Sequence, residues 1–293
     1  MFHSQHIGVT ASHVQLDWQV MSRRLWKKVH ENVGIKTYYN QFPNIDIYEG
    51  TAAFCGPKEV TVTLHNSKTQ TLRGEKIFIG VGARTAIPDL PGLEDTGYIT
   101  SETLFGNAYP KKPYKSLIII GGGPIGCEFA HVFSTAGTKV TLIQHNVRLL
   151  PKEDEDIAAF LLQQFQNTGI TVHLNQNTVS VRSENKEKIL TCQDRSTGQT
   201  LTVQAEEILV APGIRPMTDL LHLERTEIQT DSRGYILTNE FLETSAEGIW
   251  ALGDVNGKAP FRHKANYEAE IIAHNLFSGN TPENWRWARY DLV

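Results

Sequence analysis

Only three cysteines occur in the 293 residues, Cys55, Cys127 and Cys192, and they stand far apart. No C-x-x-C and no His/Cys ligand spacing accompanies them. That argues against a disulfide framework and a zinc site. The thiols are expected to be buried or incidental. No apolar run reaches the roughly 18 residues that a membrane span needs. The opening MFHSQHIGVTASH lacks the apolar core and cleavage pattern of a secretory signal. With no such address, the cytoplasm is the default expectation. Positive charge is not in excess either: 28 Lys and Arg face 32 Asp and Glu, a net charge of −4. A dedicated nucleic-acid binder usually carries a basic excess, so neither nucleic acid nor membrane is expected as a partner. No solenoid repeat is visible. His3 and His6 have a ligand-like spacing but no third partner, and they read as surface residues.

What is present suits a folded chain of about two domains. Apolar residues make up 40%, with 23 Gly besides. Residues 13–40 carry a helical pattern in which Val20, Leu25, Trp26 and Val29 are apolar. Arg23, Arg24, Lys27 and Lys28 lie between them and read as a solvated helix face. IDIYEGTAAF, EVTVTLHN and EKIFIGVG, within 45–82, read as short strands. Residues 84–112 are rich in breakers and read as loop.

Residues 116–230 read as one α/β unit. SLIIIGGG is an apolar strand running into glycines, and GPIGCEFAHVFSTAG is a helix ending at Gly137. KVTLIQ is the next strand. PKEDEDIAAFLLQQFQNTG is a second helix with Ile157, Phe160, Leu161 and Phe165 on one face. Its four acids, Glu153 to Asp156, are expected in the first turn, where they suit the helix dipole. TVHL is a third strand. This alternation implies a parallel sheet. VSVRS, KILTCQD and LTVQAEEILVAPG then form a small antiparallel meander. Beyond it lie a hairpin-like YILTNEFLETS, a strand GIWALGD, and a helix from about Lys264 to Leu276.

The strongest chemical signal is Gly121-Gly122-Gly123-Pro124-Ile125-Gly126, which fits G-x-G-x-x-G between a strand and a helix. Gly121 allows the tight turn, Gly123 lets backbone approach a pyrophosphate, and Gly126 lets the helix pack on the strand. The helix N-terminus supplies free N–H groups and positive potential for phosphate. An acid at the end of the second strand would bind the ribose of NAD. Gln144 stands there instead, followed by His145 and Arg148, which could meet a 2′-phosphate. The balance leans slightly to NADP, with NAD open. Cys127, in the fingerprint helix, reads as packing.

Two segments run alike from a strand through glycine into a Pro-rich loop: KIFIGVGARTAIPDLPGL, with Gly82, and EILVAPGIRPMTDLLHL, with Gly213. TSAEGIWALGD then ends a strand in Gly253-Asp254. Taken together and in this order, these segments resemble the class I pyridine nucleotide–disulfide oxidoreductases, which include dihydrolipoamide dehydrogenase, mercuric reductase, glutathione reductase and soluble transhydrogenase. The ordered set is Gly80-Val81-Gly82, the fingerprint followed by Glu128, Ala211-Pro212-Gly213, and the segment ending at Asp254. FRHKANYEAE is most similar to the dihydrolipoamide dehydrogenase branch.

The resemblance implies an α/β fold: an FAD/NAD(P)-binding Rossmann-like three-layer domain with a central parallel sheet and β-meander, plus part of a second FAD domain. It implies partial FAD-binding segments over 1–112 and 236–293 around an NAD(P)-binding domain over 113–235. Asp254 would hydrogen-bond the ribityl chain of FAD. The helix opening near His263, Lys264 and Ala265 would aim its N-terminus at the flavin. Glu128 would lie close to the nicotinamide–flavin stack. Hydride would pass from NAD(P)H to flavin and on to a small-molecule or protein disulfide, in a homodimer.

Three departures limit the carry-over. Val81 and Pro212 replace a usual Thr, and Gln144 replaces an acid. The family's own FAD fingerprint and C-x-x-x-x-C pair are absent, as is the dimerisation domain with its His–Glu base, so no catalytic residue is assigned here. The chain therefore reads as a fragment that is inactive alone. Trp285 and Trp287 are expected to pack on a neighbouring segment or a missing domain. Alternatives are a flavoprotein without a dithiol, such as a transhydrogenase or NADH oxidase, and a non-catalytic NAD(P)-binding module.

Overall fold

In a computed structural model of the chain, residues 16–31 and 34–279 are described. In chain order the elements begin with α1 (Trp18–Glu31), α2 (Gly34–Tyr39), β1 (Gly50–Gly56), β2 (Glu59–Leu64), β3 (Thr69–Arg73), β4 (Ile77–Ile79) and β5 (Ala83–Thr85). Then come α3 (Leu93–Thr96), α4 (Ser101–Leu104), β6 (Ser116–Ile120), α5 (Pro124–Thr135), β7 (Lys139–Ile143), α6 (Glu155–Asn167) and β8 (Thr171–His173). The remainder is β9 (Gln176–Glu184), β10 (Glu187–Asp194), β11 (Thr200–Ala205), β12 (Glu207–Val210), β13 (Ile214–Pro216), β14 (Ile249–Ala251) and α7 (Arg262–Phe277). The described residues divide into two compact units, one within 16–35 and 85–213 and the other within 36–84 and 214–279.

The first unit is built on a parallel sheet in the order β12-β6-β7-β8. Successive side chains of a strand point to opposite faces, and both faces of this sheet are covered. Leu117 and Ile119 of β6 enter one core with Phe133, Val140, Leu142 and Phe165. Ile118 and Ile120 enter the other with Val181, Leu190 and Val210. The helices α5 and α6 thus cover one face and the antiparallel meander β9–β11 the other, giving three layers. An apolar run such as SLIII is what a strand buried on both faces requires.

Residues 85–112 join this unit because Ile99 extends the sheet: its N–H donates to Ile208 and its carbonyl accepts from Val210. Sequence reading finds that stretch loop-rich, and within it lie the four-residue helices α3 and α4. Trp18 anchors α1, stacked on Tyr109 and Phe133 with Nε1 donating to the Pro110 carbonyl. Val20, expected on the apolar face, is exposed, and Trp18 takes the buried place.

The second unit holds the antiparallel sheet β1-β2-β3 and a parallel pair β14-β4. The β3 strand, TQTLR, is too polar to have been recognised from its pattern. Residues 214–235 belong here because Leu221 and Ile228 enter its core and the Leu221 carbonyl accepts from Phe54 N–H. YILTNEFLETS forms no hairpin strands: only isolated bridges link Thr230 to Ile236 and Glu243 to Trp250. Its polar groups close turns instead, as Asn239 Oδ1 accepts from the Phe241 and Glu243 amides.

One helix face also differs from expectation. Ile157 and Phe160 of α6 are exposed, while Ala158 and Phe165 are buried with Leu161 and Leu162 against the core. The helix starts at Glu155 with Asp154 as N-cap, so Glu153 precedes the first turn.

Candidate functional site

The fingerprint loop joins β6 to α5, and its glycines meet different constraints. A Cβ on Gly121 would lie 2.2 Å from the Ala211 carbonyl oxygen, and the residue has a φ of +116°. A Cβ on Gly126 would lie 1.9 Å from the Gly121 carbonyl oxygen. Both positions are closed by the protein itself. Gly123 is the opposite case: it is extended (φ −79°, ψ −177°), caps α5, and nothing lies within 4 Å of an added Cβ. Neither its own backbone nor its neighbours demand glycine, and the open space leaves room for an external group to approach the backbone there.

Pro124 follows at the first helical position, where a missing N–H costs nothing. Ile125 packs against the core. Glu128, on the next turn, is exposed. Cys127 is buried, its Sγ 3.6 Å from the Gly122 carbonyl. Burial pushes its thiol up to about 12, with the Glu128 charge adding to the shift. The helix N-terminus does not activate it.

Gln144 is engaged by the protein's own backbone. It is buried, and its Oε1 accepts from the Gly122 amide at 3.0 Å and the His145 amide at 3.1 Å. Its Nε2 donates to the Arg148 carbonyl at 3.1 Å. The amide therefore ties the second strand to the fingerprint loop. Arg148 is turned to Glu155, with Nη1 to Oε1 at 2.6 Å. The exposed His145 has its carbonyl held by Arg195 Nη1. Gly122, to which sequence reading gives no task of its own, is constrained by Leu149 and Gln144, whose atoms would lie 2.7 and 3.1 Å from a Cβ.

Gly213 has a φ of +153° and an open Cβ direction, and its carbonyl accepts from the Ala86 amide.

In the second unit, Gly82 has a φ of +72°, an open Cβ direction, and a carbonyl that accepts from the Met217 amide. Gly253 has a φ of +76° and starts a short 3-10 turn through Asn256. Asp254, within that turn, is half-buried, and no group among the described residues donates a hydrogen bond to its carboxylate. The helix α7 begins at Arg262. His263 is exposed and Ala265 half-buried, whereas Lys264 is buried and ion-paired with Glu268. Sequence reading missed Glu268 and Asn256. The signal available was the Lys–Glu spacing of four on one helix, which also fits a surface pair.

Two hollows lie elsewhere: one of ≈ 250 Å³ beside Lys139 and His173, one of ≈ 500 Å³ beside Cys55 and His222. Neither is lined by the fingerprint glycines. Among the described residues no cluster of His, Cys, Asp and Glu could hold a metal, and no helix is long and apolar enough to cross a membrane. The expectations for His3, His6, Trp285 and Trp287 fall outside the described residues.

Comparison with known proteins places this geometry. The family described as pyridine nucleotide-disulphide oxidoreductase matches residues 5–277. The probable pyridine nucleotide-disulfide oxidoreductase RclA of Escherichia coli (strain K12) is 34% identical over 82% of this chain and 53% of its own length. The dihydrolipoyl dehydrogenase of Chlorobaculum tepidum is 33% identical over 94% of this chain and 58% of its own. The solved structure of the HOCl-induced flavoprotein disulfide reductase RclA from Escherichia coli superposes with a TM-score of 0.76 at 30% identity, over 87% of this chain and 56% of that one. The chain thus spans a little over half the length of these relatives.

Proposed function

The chain belongs to the pyridine nucleotide-disulphide oxidoreductase family, and from that premise we propose that it carries the NAD(P)H site and part of the flavin site of an FAD-dependent oxidoreductase. In this reading the unit over 85–213 binds the nicotinamide dinucleotide and the unit over 36–84 and 214–293 contributes to FAD binding. When bound, these two cofactors would supply the hydride-transfer chemistry that leads to a disulfide or similar acceptor.

The residues divide the work. Gly121 and Gly126 close the loop onto the strand, and Gly123 leaves room for a pyrophosphate at the N-terminus of α5. Pro124 and Ile125 begin the helix whose free N–H groups face that charge. Gln144 holds the loop in place, and His145 and Arg148 lie on the segment that would meet the adenosine ribose or a 2′-phosphate. Glu128 stands on the outer face of α5, on the side given to the nicotinamide. Asp254 would accept from hydroxyls of the flavin side chain, and the N-terminus of α7, at His263 to Ala265, would lend positive potential. Gly82 and Gly213 keep their loops free of side chains.

The observation that carries this reading is the empty Cβ direction at Gly123. Titration of NADH and NADPH against the wild type and Gly123→Ala tests it. The variant should bind at least tenfold more weakly at an unchanged thermal midpoint. Equal binding by the two proteins would sink the assignment.

The whole protein is proposed to act as a homodimer on a small or protein disulfide. Cys127 and Cys192 are buried with thiols pushed up, and no pair of cysteines here has redox spacing. The 293 residues alone are therefore expected to reduce no disulfide. NAD(P)H-dependent reduction of lipoamide or glutathione disulfide by the pure chain would refute this.

A further inference from the structure

Lys264 and Glu268 lie one turn apart on α7, 2% and 0% exposed, with their charged atoms 2.7 Å apart. Burying two charges costs more than their attraction returns unless their remaining hydrogen-bond valences are filled. Here those valences go to one short stretch of chain. Glu268 Oε2 accepts from the Gly253 amide at 2.7 Å, and Oε1 accepts from Asn256 Nδ2 at 2.9 Å. Lys264 Nζ donates to the Gly253 carbonyl at 3.3 Å and to Asn256 Oδ1 at 2.6 Å. The carboxylate thus grips Gly253 by its N–H and the ammonium grips it by its C=O, while Asn256 bridges both charges.

An apolar pair of similar volume would fill this space at no electrostatic cost. What it would not do is hold both dihedrals of a left-handed glycine. Gly253 is that glycine, and Asp254 is the next residue. The direction in which the Asp254 carboxylate leaves the backbone follows from the orientation of the Gly253 peptide.

We propose that Lys264 and Glu268 are a positioning clamp that fixes the Gly253 peptide and thereby the place of the Asp254 carboxylate for the hydroxylated chain of the flavin cofactor. The side chains of both residues are taken up by each other, Gly253 and Asn256, so the clamp acts through the Gly253 peptide and not by a side-chain contact with the cofactor. The role rests on the reading in which Asp254 meets FAD.

The test compares four forms of the full chain: wild type, Asp254→Ala, Lys264→Met with Glu268→Met, and the triple combination. FAD affinity comes from flavin fluorescence, folding from the cofactor-free thermal midpoint, and local order from hydrogen exchange at the Gly253 amide. The double variant keeps volume while removing both charges. It should stay folded, exchange the Gly253 amide at least tenfold faster, and bind FAD at least tenfold more weakly. The triple variant should bind no more weakly than Asp254→Ala, because the clamp acts through that carboxylate. Wild-type FAD affinity in the double variant beside a weakened Asp254→Ala overturns the clamp alone. Wild-type affinity in Asp254→Ala overturns the assignment of Asp254, and the clamp's cofactor role falls with it. If the double variant fails to fold, Glu268→Gln is read in the same way. Unfolding of both assigns the pair to stability and overturns the proposal.

Discussion

The side-chain oxygen of Gln144 accepts the amide of Gly122 at 3.0 Å, so the end of one strand holds the glycine loop that follows another. The same oxygen takes the His145 amide, and Nε2 takes the Arg148 carbonyl. One buried side chain thus ties the fingerprint loop to the segment that follows β7. Gln144→Leu would leave the buried Gly122 amide without an acceptor, at a cost of about 1–3 kcal/mol. The urea midpoint should fall, and NADH and NADPH should both bind several-fold more weakly, because the loop loosens for either. An unchanged midpoint would show that the Gly122 amide finds another partner.

The three fingerprint glycines should respond differently to one added methyl. Gly121→Ala and Gly126→Ala place a Cβ about 2 Å from a backbone oxygen, and Gly121 also has a left-handed φ. Overpacking of that kind typically costs about 1–3 kcal/mol or more. Both variants should lose several degrees of thermal midpoint without any ligand. Gly123→Ala should lose none. A midpoint loss in Gly123→Ala equal to that of Gly126→Ala would mean that all three glycines serve the fold.

Much of this architecture was legible in the sequence, because burial on both faces writes a distinctive pattern. SLIII, KVTLI and EILV are apolar runs bounded by glycine or charge, and all became strands of one parallel sheet. The fingerprint helix ended beside Gly137, which has a φ of +89°. Legibility failed where apolar residues point outward. Ile157 and Phe160 are spaced like a core face yet exposed, and Ala158, too small to weigh in a pattern, marks the buried side. At the site, residue types were readable but partners were not. Gln144 was placed at the right strand end, but its engagement with Gly122 depends on a contact 22 residues away. The Lys264–Glu268 pair carried no sequence sign of burial.

The buried thiols set an alkaline limit. Burial raises Cys127 from 9.0 to about 12, and Cys192 from 9.0 to about 11. A group whose folded pKa lies above its unfolded value contributes stability that is intact below the unfolded pKa and lost as pH rises through the folded one. The unfolding free energy should therefore fall above about pH 9, by at most about 1.4 kcal/mol per pH unit for each thiol. Urea midpoints at pH 7, 9 and 10.5 would show it, with Cys127→Ala giving a shallower slope than the wild type. Parallel slopes would remove Cys127 from the cause. At pH 8 the same burial should leave Cys127 and Cys192 unalkylated by iodoacetamide until the chain is unfolded.

In the proposed site, Arg148 and Glu155 are expected to set how a 2′-phosphate is treated. Their ion pair is 2.6 Å long, but the glutamate side chain is 89% exposed, so the pair is weak and easily exchanged. A dianionic phosphate is a stronger partner for a guanidinium than one exposed carboxylate, because it offers more charge and more acceptor oxygens. A 2′-phosphate placed there would therefore meet Glu155 as a competitor for Arg148 and as a like charge. Removing that charge with Glu155→Gln should tighten NADPH several-fold and leave NADH nearly unchanged. Arg148→Gln should act the other way, weakening NADPH alone. Both effects should shrink at high salt, since exposed charges are screened. Equal shifts for NADH and NADPH in either variant would mean that Arg148 serves the loop rather than the choice of nucleotide, and Gln144 would then be left as the residue at that strand end to examine.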